Sequence, residues 1–389
     1  MAGKRSIFEE VGSSTKAEPS PQGGLIDSRR QGGRRGVLVW LMIIFALVML
    51  MIAVGGLTRL TDSGLSITEW RPVTGALPPM TEEAWAAEFD KYRQIPEYQL
   101  QNKGMSLDEF KHIYWWEWGH RQLGRVIGLV WALGFLGFLV MRRIPPGWSG
   151  RLLGIGALGG VQGAIGWWMV SSGLEGSMLD VASYRLATHL GLAFVILGLI
   201  AWYVFLLGRN EADLIQARRG REAKLFSLST GLMHLAFLQI LLGALVAGID
   251  AGRAFPTWPD MNGQFFPADA FYVPDGNGGS LPIWHAFFEN AGLVQFMHRM
   301  AGYLLFAFGI VAWLKGRKSA HASTRFAFNA VMAMMLVQVV LGIVTAVTAA
   351  HLHIAITHQV GAVLLWVLII RARYLSQYPI AGSIRKGTA

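Results

Sequence analysis

The chain has 389 residues, of which 53% are hydrophobic and only 15% are charged, so an ordinary soluble domain is excluded and a membrane protein is indicated. It contains no cysteine, which excludes a disulfide framework and a thiolate metal site. The formal net charge is +10, but the basic residues flank apolar runs and form no single patch, so nucleic acid is not an expected partner.

Eight apolar runs are long enough to cross a bilayer, which takes about 20 residues. They lie near 37–57, 119–141, 151–170, 184–207, 226–249, 291–314, 326–349 and 354–373. They predict an all-α membrane protein with eight transmembrane helices in two tandem pseudo-symmetric four-helix bundles. The predicted segments are a disordered tail at 1–36, a first bundle at 37–207, a linker at 208–225, a second bundle at 226–373 and a tail at 374–389.

The distribution of Lys and Arg predicts the orientation of these helices. Most of the 34 basic residues fall in the two tails and in the segments that follow the second, fourth and sixth runs. Positive residues concentrate on the cytoplasmic side, so both termini and the linker are expected to be cytoplasmic. The long segments at 58–118 and 250–290 then face outward, and the expected location is a bacterial inner membrane.

Two stretches outside the apolar runs reveal an internal repeat. GGLTRLTDSGLSITEWRPVTGALPP at 55–79 aligns with GALVAGIDAGRAFPTWPDMNGQFFP at 243–267, with an offset of 243 − 55 = 188. The two share Gly, Leu, Asp, Gly, Trp, Gly and Pro at matching positions, where composition predicts roughly one or two matches. Each half contains four spans, so the pattern predicts a parallel repeat about an axis normal to the membrane.

Four histidines form two pairs, one in each half, and occupy corresponding helices in the two halves. His120 in GHRQLGR and His298 in MHRMAGY begin the second helix of each half, whereas His189 in ATHLG and His358 in ITHQVG lie early in the fourth. A histidine in a membrane helix is often only a hydrogen-bonded packing residue. Two imidazoles that face each other across a bundle also suit the axial positions of a haem iron. A zinc site fits less well, because no third or fourth ligand recurs in both halves.

Arginines at the outer ends of the helices are candidate partners for the anionic propionates of haem, because guanidinium groups bind carboxylates through two hydrogen bonds. Contacts with lipid headgroups or with acidic loop residues are the alternative. The candidates are Arg59, Arg121, Arg125, Arg185, Arg253 and Arg299. The repeated Gly-rich loops, anchored by Trp70 and Trp258, are predicted to fold over the haem edges as lids.

One ionisable residue distinguishes the two halves. Glu117 lies three residues before His120, on the same helical face, whereas Gln295 occupies the matching position before His298. A carboxylate beside a bound porphyrin can act as a general base or stabilise positive charge that develops during oxidation. The alternative is a first-turn glutamate that only complements the helix dipole.

From about residue 37 to residue 373, the chain resembles the haem A synthase family, through GGLTRLTDSGLSITEWRPVTGALPP followed by EWGHRQLGR. The resemblance implies successive hydroxylations of one methyl group of haem O and loss of water from a geminal diol, which yields the formyl group of haem A. It also implies that His120 and His189 bind the substrate haem, that His298 and His358 bind a retained haem B, and that Glu117 is the essential acidic residue.

The resemblance leaves the partners less defined. Some family members carry a cysteine pair in an outer loop, and this chain has none, so the electron donor or acceptor stays open. A haem O synthase is the expected supplier of substrate, membrane lipid surrounds the helices, and a homo-oligomer stays open. Two other functions remain to be weighed: a di-haem cytochrome that only passes electrons, and a membrane haem carrier or transporter.

Overall fold

A computed structural model describes residues 25–174, 176 and 178–380 of the chain. Within these residues the regular structure is helical, with no β-strand beyond isolated bridges, and the predicted all-α class is confirmed. The first half contains α1 (Leu25–Leu60), α2 (Glu82–Tyr92), α3 (Pro96–Leu100), α4 (Leu107–Val140), α5 (Ser149–Val170), α6 (Ser183–Leu207) and α7 (Glu211–Arg219). The second contains α8 (Ala223–Gly248), α9 (Ala251–Ala254), α10 (Ala286–Glu289), α11 (Ala291–Gly316), α12 (Ala322–Val347) and α13 (Leu352–Gln377).

Eight of these helices are long and apolar enough to cross a membrane, which confirms the predicted multi-pass architecture. They are α1, α4, α5 and α6 in the first half and α8, α11, α12 and α13 in the second. The structure differs from the sequence prediction at the start of α1. This helix begins at Leu25, inside the segment 1–36 predicted as a disordered tail, and residues 1–24 of that tail lie outside the described residues.

Two local interactions stabilise the parts of α1 and α4 that precede the predicted apolar runs. The Arg34 guanidinium of α1 donates hydrogen bonds to the carbonyls of Leu206 and Leu207, at 2.7 and 3.1 Å, which satisfies carbonyl groups at the C-terminal end of α6. Ser106 caps α4, because its hydroxyl accepts from the Glu109 amide while the Glu109 carboxylate accepts from the Ser106 amide. The first three turns of α4 therefore lie outside the predicted span.

The spanning helices of each half form a closed ring. In the first half α1 packs on α4, α4 on α5, α5 on α6 and α6 on α1. In the second half α8, α11, α12 and α13 follow the same cyclic order. Consequently α4 and α6 occupy opposite corners of the first bundle, and α11 and α13 occupy opposite corners of the second. These are the four helices that carry the repeated histidines.

The two bundles meet through repeat-related helices. Contacts between α1 and α13 mirror those between α8 and α6, while α6 and α13 meet each other at the centre. The indole nitrogen of Trp366 donates to the carbonyl of Phe194 at 3.0 Å, and the indole packs against Gly198. Phe194, Trp366 and Ile369 are buried in one continuous apolar core. The arrangement is that of a pseudo-two-fold axis between the halves.

The first outer segment forms a small packed cap over its bundle. Trp85, Phe89 and Tyr92 of α2 pack against Phe110 and Tyr114 in the early turns of α4, as a separate buried cluster. Aromatic rings in this cluster stack or meet edge to face at centroid distances near 5 Å, as between Phe89 and Phe110 at 4.9 Å. The cap fixes the extended start of α4 above the membrane.

Candidate functional site

The structure places the four repeated histidines as two pairs on opposing helices. His120 on α4 and His189 on α6 come from opposite corners of the first bundle, and His298 on α11 and His358 on α13 come from opposite corners of the second. Helices at opposite corners of a bundle can present two imidazoles to one metal-centred group from two sides, so the arrangement is compatible with the predicted haem sites in both halves.

Each histidine ring lies against a glycine of a neighbouring helix. A Cβ atom added to Gly55 would lie 3.2 Å from Nε2 of His120, and one added to Gly243 would lie 3.1 Å from Cε1 of His298. The same relation holds for Gly166 with His189 at 2.9 Å and for Gly342 with His358 at 3.3 Å. Gly55 and Gly243 occupy equivalent positions in the repeat, and so do Gly166 and Gly342. Each of the four imidazoles therefore packs closely against the backbone of a neighbouring helix.

Buried polar atoms without partners line both histidine pairs. Within the described part of the chain, the amide oxygens of Gln162 and Gln239, the amide nitrogen of Gln338 and Nδ1 of His358 form no hydrogen bond. Buried polar groups normally have a partner, and in a membrane protein water rarely supplies one. Unpaired polar atoms beside paired imidazoles therefore fit a site built to hold a metal-centred group such as haem.

Glutamines contact two of the histidine rings directly. The amide nitrogen of Gln162 lies 3.2 Å from Nδ1 of His189, and that of Gln239 lies 3.1 Å from Nδ1 of His298. These glutamines were not identified as site residues from the sequence. The signal was available for one of them, because Gln162 repeats as Gln338 in VQGAIG and VQVVLG, one helical turn before the glycine that faces a histidine.

Glu117 is buried, with 2% of its surface exposed, and both of its oxygens are occupied. Oε2 accepts from the amide of Ile67 at 2.7 Å and from the hydroxyl of Ser66 at 2.8 Å, while Oε1 accepts from Nε of Arg121 at 3.0 Å. The interpretation of Glu117 as a first-turn residue is wrong, because α4 begins at Leu107. Its carboxylate instead ties the Gly-rich loop to the turn that precedes His120.

The arginine after each first histidine holds the outer loop of its own half. Nη2 of Arg121 donates to the carbonyl of Ile67 at 2.7 Å, and Nη2 of Arg299 donates to the carbonyl of Phe255 at 2.9 Å. Ile67 and Phe255 are repeat equivalents, since 255 − 67 = 188. Arg299 also donates to Gln295, the counterpart of Glu117, at 3.1 Å. Both loops are therefore fixed beside the ligand helices, and coverage of a haem edge stays a prediction.

Arg59 contacts acidic residues, which is one of the alternatives that the sequence left open for the outer arginines. Its guanidinium lies 2.8 Å from Asp62, 3.0 Å from Asp250 and 3.3 Å from Asp180. These three carboxylates are spaced closely enough for a cation, and the guanidinium already sits among them. As a possible propionate partner Arg59 is therefore a poor choice, because its charge is already compensated. Arg253 belongs to the same group, 3.8 Å from Asp250.

Apart from Arg121, the remaining candidate arginines form no ion pair with a carboxylate among the described residues. Arg125 donates to the carbonyls of Arg71 and Pro72, both at 2.9 Å. Arg185 donates to the carbonyl of Trp168 and stacks over its indole, 4.7 Å from the ring centroid. Arg125, Arg185 and Arg299 thus lie at the outer ends of the bundles with hydrogen bonds to backbone carbonyls and without a carboxylate ion pair.

Known proteins are similar to this chain over nearly its full length. A family model described as cytochrome oxidase assembly protein matches residues 38–370. The chain is 67% identical to the haem A synthase of Ruegeria sp. strain TM1040, over 98% of this chain and 99% of that protein. It is 65% identical to a haem A synthase of Cereibacter sphaeroides, over 99% of each chain, and 63% identical to that of Roseobacter denitrificans, over 99% of this chain and 100% of that protein.

Proposed function

Because the chain belongs to the haem A synthase family of cytochrome oxidase assembly proteins, we propose that it oxidises a methyl group of haem O to the formyl group of haem A. The observation that carries the proposal is the presence of two equivalent histidine pairs, only one of which has a buried carboxylate one turn away. Two similar histidine pairs, one of which has a carboxylate nearby, fit a chain in which one haem is the substrate and the other transfers electrons.

In this proposal the first bundle binds the substrate. His120 and His189 hold haem O, while the outer arginines that lack a carboxylate partner attract its propionates. His298 and His358 hold a haem B, which supplies one-electron transfer when bound. Conversion of the methyl to a formyl group through two hydroxylations removes four electrons from the methyl carbon and adds oxygen, so the reaction needs an oxygen source and a redox partner outside the described chain.

Glu117 serves this reaction as a carboxylate that is held in place about one helical turn before His120. The Arg121 guanidinium and the Ile67 amide both donate hydrogen bonds to it, and it lies on the helical face that carries His120. The hydroxyl of Ser66 donates the remaining hydrogen bond to Oε2 and helps to hold the carboxylate in this position.

The proposal also includes the orientation and the surroundings of the protein. The Lys and Arg distribution supports cytoplasmic termini, and the family supports a location in the bacterial inner membrane. Haem O reaches the first bundle from a haem O synthase. The similarity over the whole chain gives no support to a cytochrome that only passes electrons or to a haem carrier.

Mass analysis of extracted haem tests the proposed reaction. The full chain, expressed with a haem O synthase, should accumulate haem A, and cells without this chain should contain haem O alone. His120→Ala should abolish haem A while haem B is retained. A wild-type protein that returns only haem O and haem B would contradict the proposal.

A further inference from the structure

One position beside the histidines differs between the two halves. Gly124 and Gly302 each lie four residues after the first histidine of their half, and each faces the preceding spanning helix at the same repeat position. A Cβ atom on Gly302 would lie 3.2 Å from the amide nitrogen of Gln239, whereas one on Gly124 would lie 3.5 Å from the terminal methyl of Met51. Since 239 − 51 = 188, Met51 is the repeat counterpart of Gln239.

This difference decides whether the first histidine of each half has a polar neighbour. The Gln239 amide nitrogen lies 3.1 Å from Nδ1 and 3.3 Å from Nε2 of His298, and the amide oxygen is buried without a partner. The thioether of Met51 has no donor and is only a weak acceptor. Across the described residues the side chain of His120 forms no hydrogen bond, and a methionine occupies the place from which one would come.

A glutamine lies at the same repeat position near the second histidine of each half. Gln162 contacts His189, and its counterpart Gln338 lies one turn from Gly342, the glycine against His358. The Gln338 amide nitrogen and Nδ1 of His358 are both buried and unpaired, so no hydrogen bond joins them. Because both halves have a glutamine at this position, the difference between them lies at Met51 and Gln239.

We propose that Met51 leaves His120 a weakly supported ligand, so that the first bundle can release its haem, whereas Gln239 supports His298, so that the second bundle retains its own. The inference rests on the proposed function, because only a substrate haem must enter and leave in each turnover. A histidine bound to iron through one ring nitrogen donates its other N–H to a neighbouring acceptor, and loss of that acceptor lowers affinity about 10- to 100-fold. Gln239 supplies an acceptor after rotation of its amide, and Met51 supplies a poor one.

Reciprocal substitutions test the two positioning residues. The full chain is purified from cells without a haem O synthase, so that only haem B is available to both bundles, and haem transfer to excess apomyoglobin is followed spectroscopically. The wild-type protein should lose haem in a fast and a slow phase. Met51→Gln should slow the fast phase about 10- to 100-fold, and Gln239→Met should accelerate the slow phase by a similar factor.

The controls separate hydrogen bonding from packing. Met51→Leu keeps an apolar side chain and should leave both phases unchanged. Redox titration provides a second measurement, because a stronger acceptor at Nδ1 makes the imidazole a stronger electron donor. Met51→Gln should lower the midpoint potential of the first-bundle haem, and Gln239→Met should raise that of the second.

The proposal is overturned if both substitutions leave the two phases unchanged, or if Met51→Gln accelerates haem loss. If one variant fails to fold, the other still tests the proposal through the rate of its own phase of haem loss and the midpoint potential of its own haem. Because this assay uses haem B alone and no oxidation of a methyl group, its failure is distinguishable from failure of the proposed haem A synthesis.

Discussion

Replacement of Glu117 by glutamine is the most informative single change, because the structure gives the carboxylate two separable roles. Glutamine preserves the size of the side chain but presents an oxygen on one side only. If that oxygen faces Arg121, the amide NH₂ faces the Ile67 amide and the Ser66 hydroxyl, which Oε2 accepts from at 2.7 and 2.8 Å in the native protein. The serine hydroxyl can turn and accept from the NH₂, whereas the Ile67 amide loses its partner.

The cost of this substitution follows from those contacts. A buried N–H without a partner costs about 1–3 kcal/mol. Exchange of a charged acceptor for a neutral one next to Arg121 costs about another 1 kcal/mol. The two costs together should lower the free energy of opening of the Gly-rich loop by about 2–4 kcal/mol. This corresponds to roughly 30- to 1,000-fold faster exchange of its protected amides.

Hydrogen–deuterium exchange of peptides from 61–79 measures the opening of the loop, and chromatography of extracted haem measures the reaction in the same preparation. Ser66→Ala is the matched control, because it removes one donor and keeps the charge of Glu117. It should cost about 1 kcal/mol and leave haem A synthesis largely intact.

Two outcomes would refute different parts of this reasoning. Native-like exchange at 61–79 in Glu117→Gln would show that the carboxylate does not hold the loop. If turnover nevertheless fell by roughly 10²–10⁴-fold, Glu117 would act directly as a general base. Haem A synthesis at the wild-type rate would eliminate any functional role for the residue.

Three further predictions concern the outer face and the topology. Arg59→Met should lower the free energy of unfolding by about 1–3 kcal/mol in thermal or denaturant unfolding, because it leaves three partly exposed aspartates without their central cation, and Arg59→Lys should lower it by less. Burial, followed by the carboxylates of Asp180, Glu117 and Asp62, raises the pKa of Glu97 to about 8 from an ordinary 4.5. The folded cap therefore holds a proton that the unfolded chain releases, so this contribution to stability is complete below about pH 4.5 and is lost as the pH rises through 8. Glu97→Gln should remove this dependence, at most about 1.4 kcal/mol per pH unit, as followed by tryptophan fluorescence; an unchanged pH profile would contradict it. Finally, Gln101→Cys should react with an impermeant thiol reagent from outside and Ala320→Cys only after permeabilisation, and the reverse labelling would overturn the orientation.

The membrane architecture was predictable because its signals are local or repeated. Apolar runs of the required length identify the eight spans, and an offset of 188 residues identifies the duplication and pairs the histidines. The early start of α4 was also readable, since Ser106 and Glu109 have the spacing of a capping box. It was missed because the charged residues of this segment interrupt the apolar pattern that defined the span.

The partners of the charged residues were not predictable in the same way. Glu117 meets a loop about 50 residues earlier, and Arg59 meets Asp180 and Asp250, which are far apart in the sequence. Such contacts depend on how helices and loops come together in three dimensions, and neither periodicity nor spacing encodes them. The difference between Met51 and Gln239 was visible in the sequence, but the two residues lie four positions before the stretches in which the repeat is obvious.

The shared guanidinium of Arg59 makes the two halves of the repeat unequal at the outer face where they meet. Asp62 and Asp250 are repeat equivalents with the same left-handed backbone, at φ of 48° and 50°, but Ala247 occupies the position in the second half that corresponds to Arg59. A single arginine of the first half therefore joins Asp62 and Asp180 of its own half to Asp250 of the other. The two halves are complementary at this contact, so neither can be exchanged for a second copy of the other without altering the charge balance.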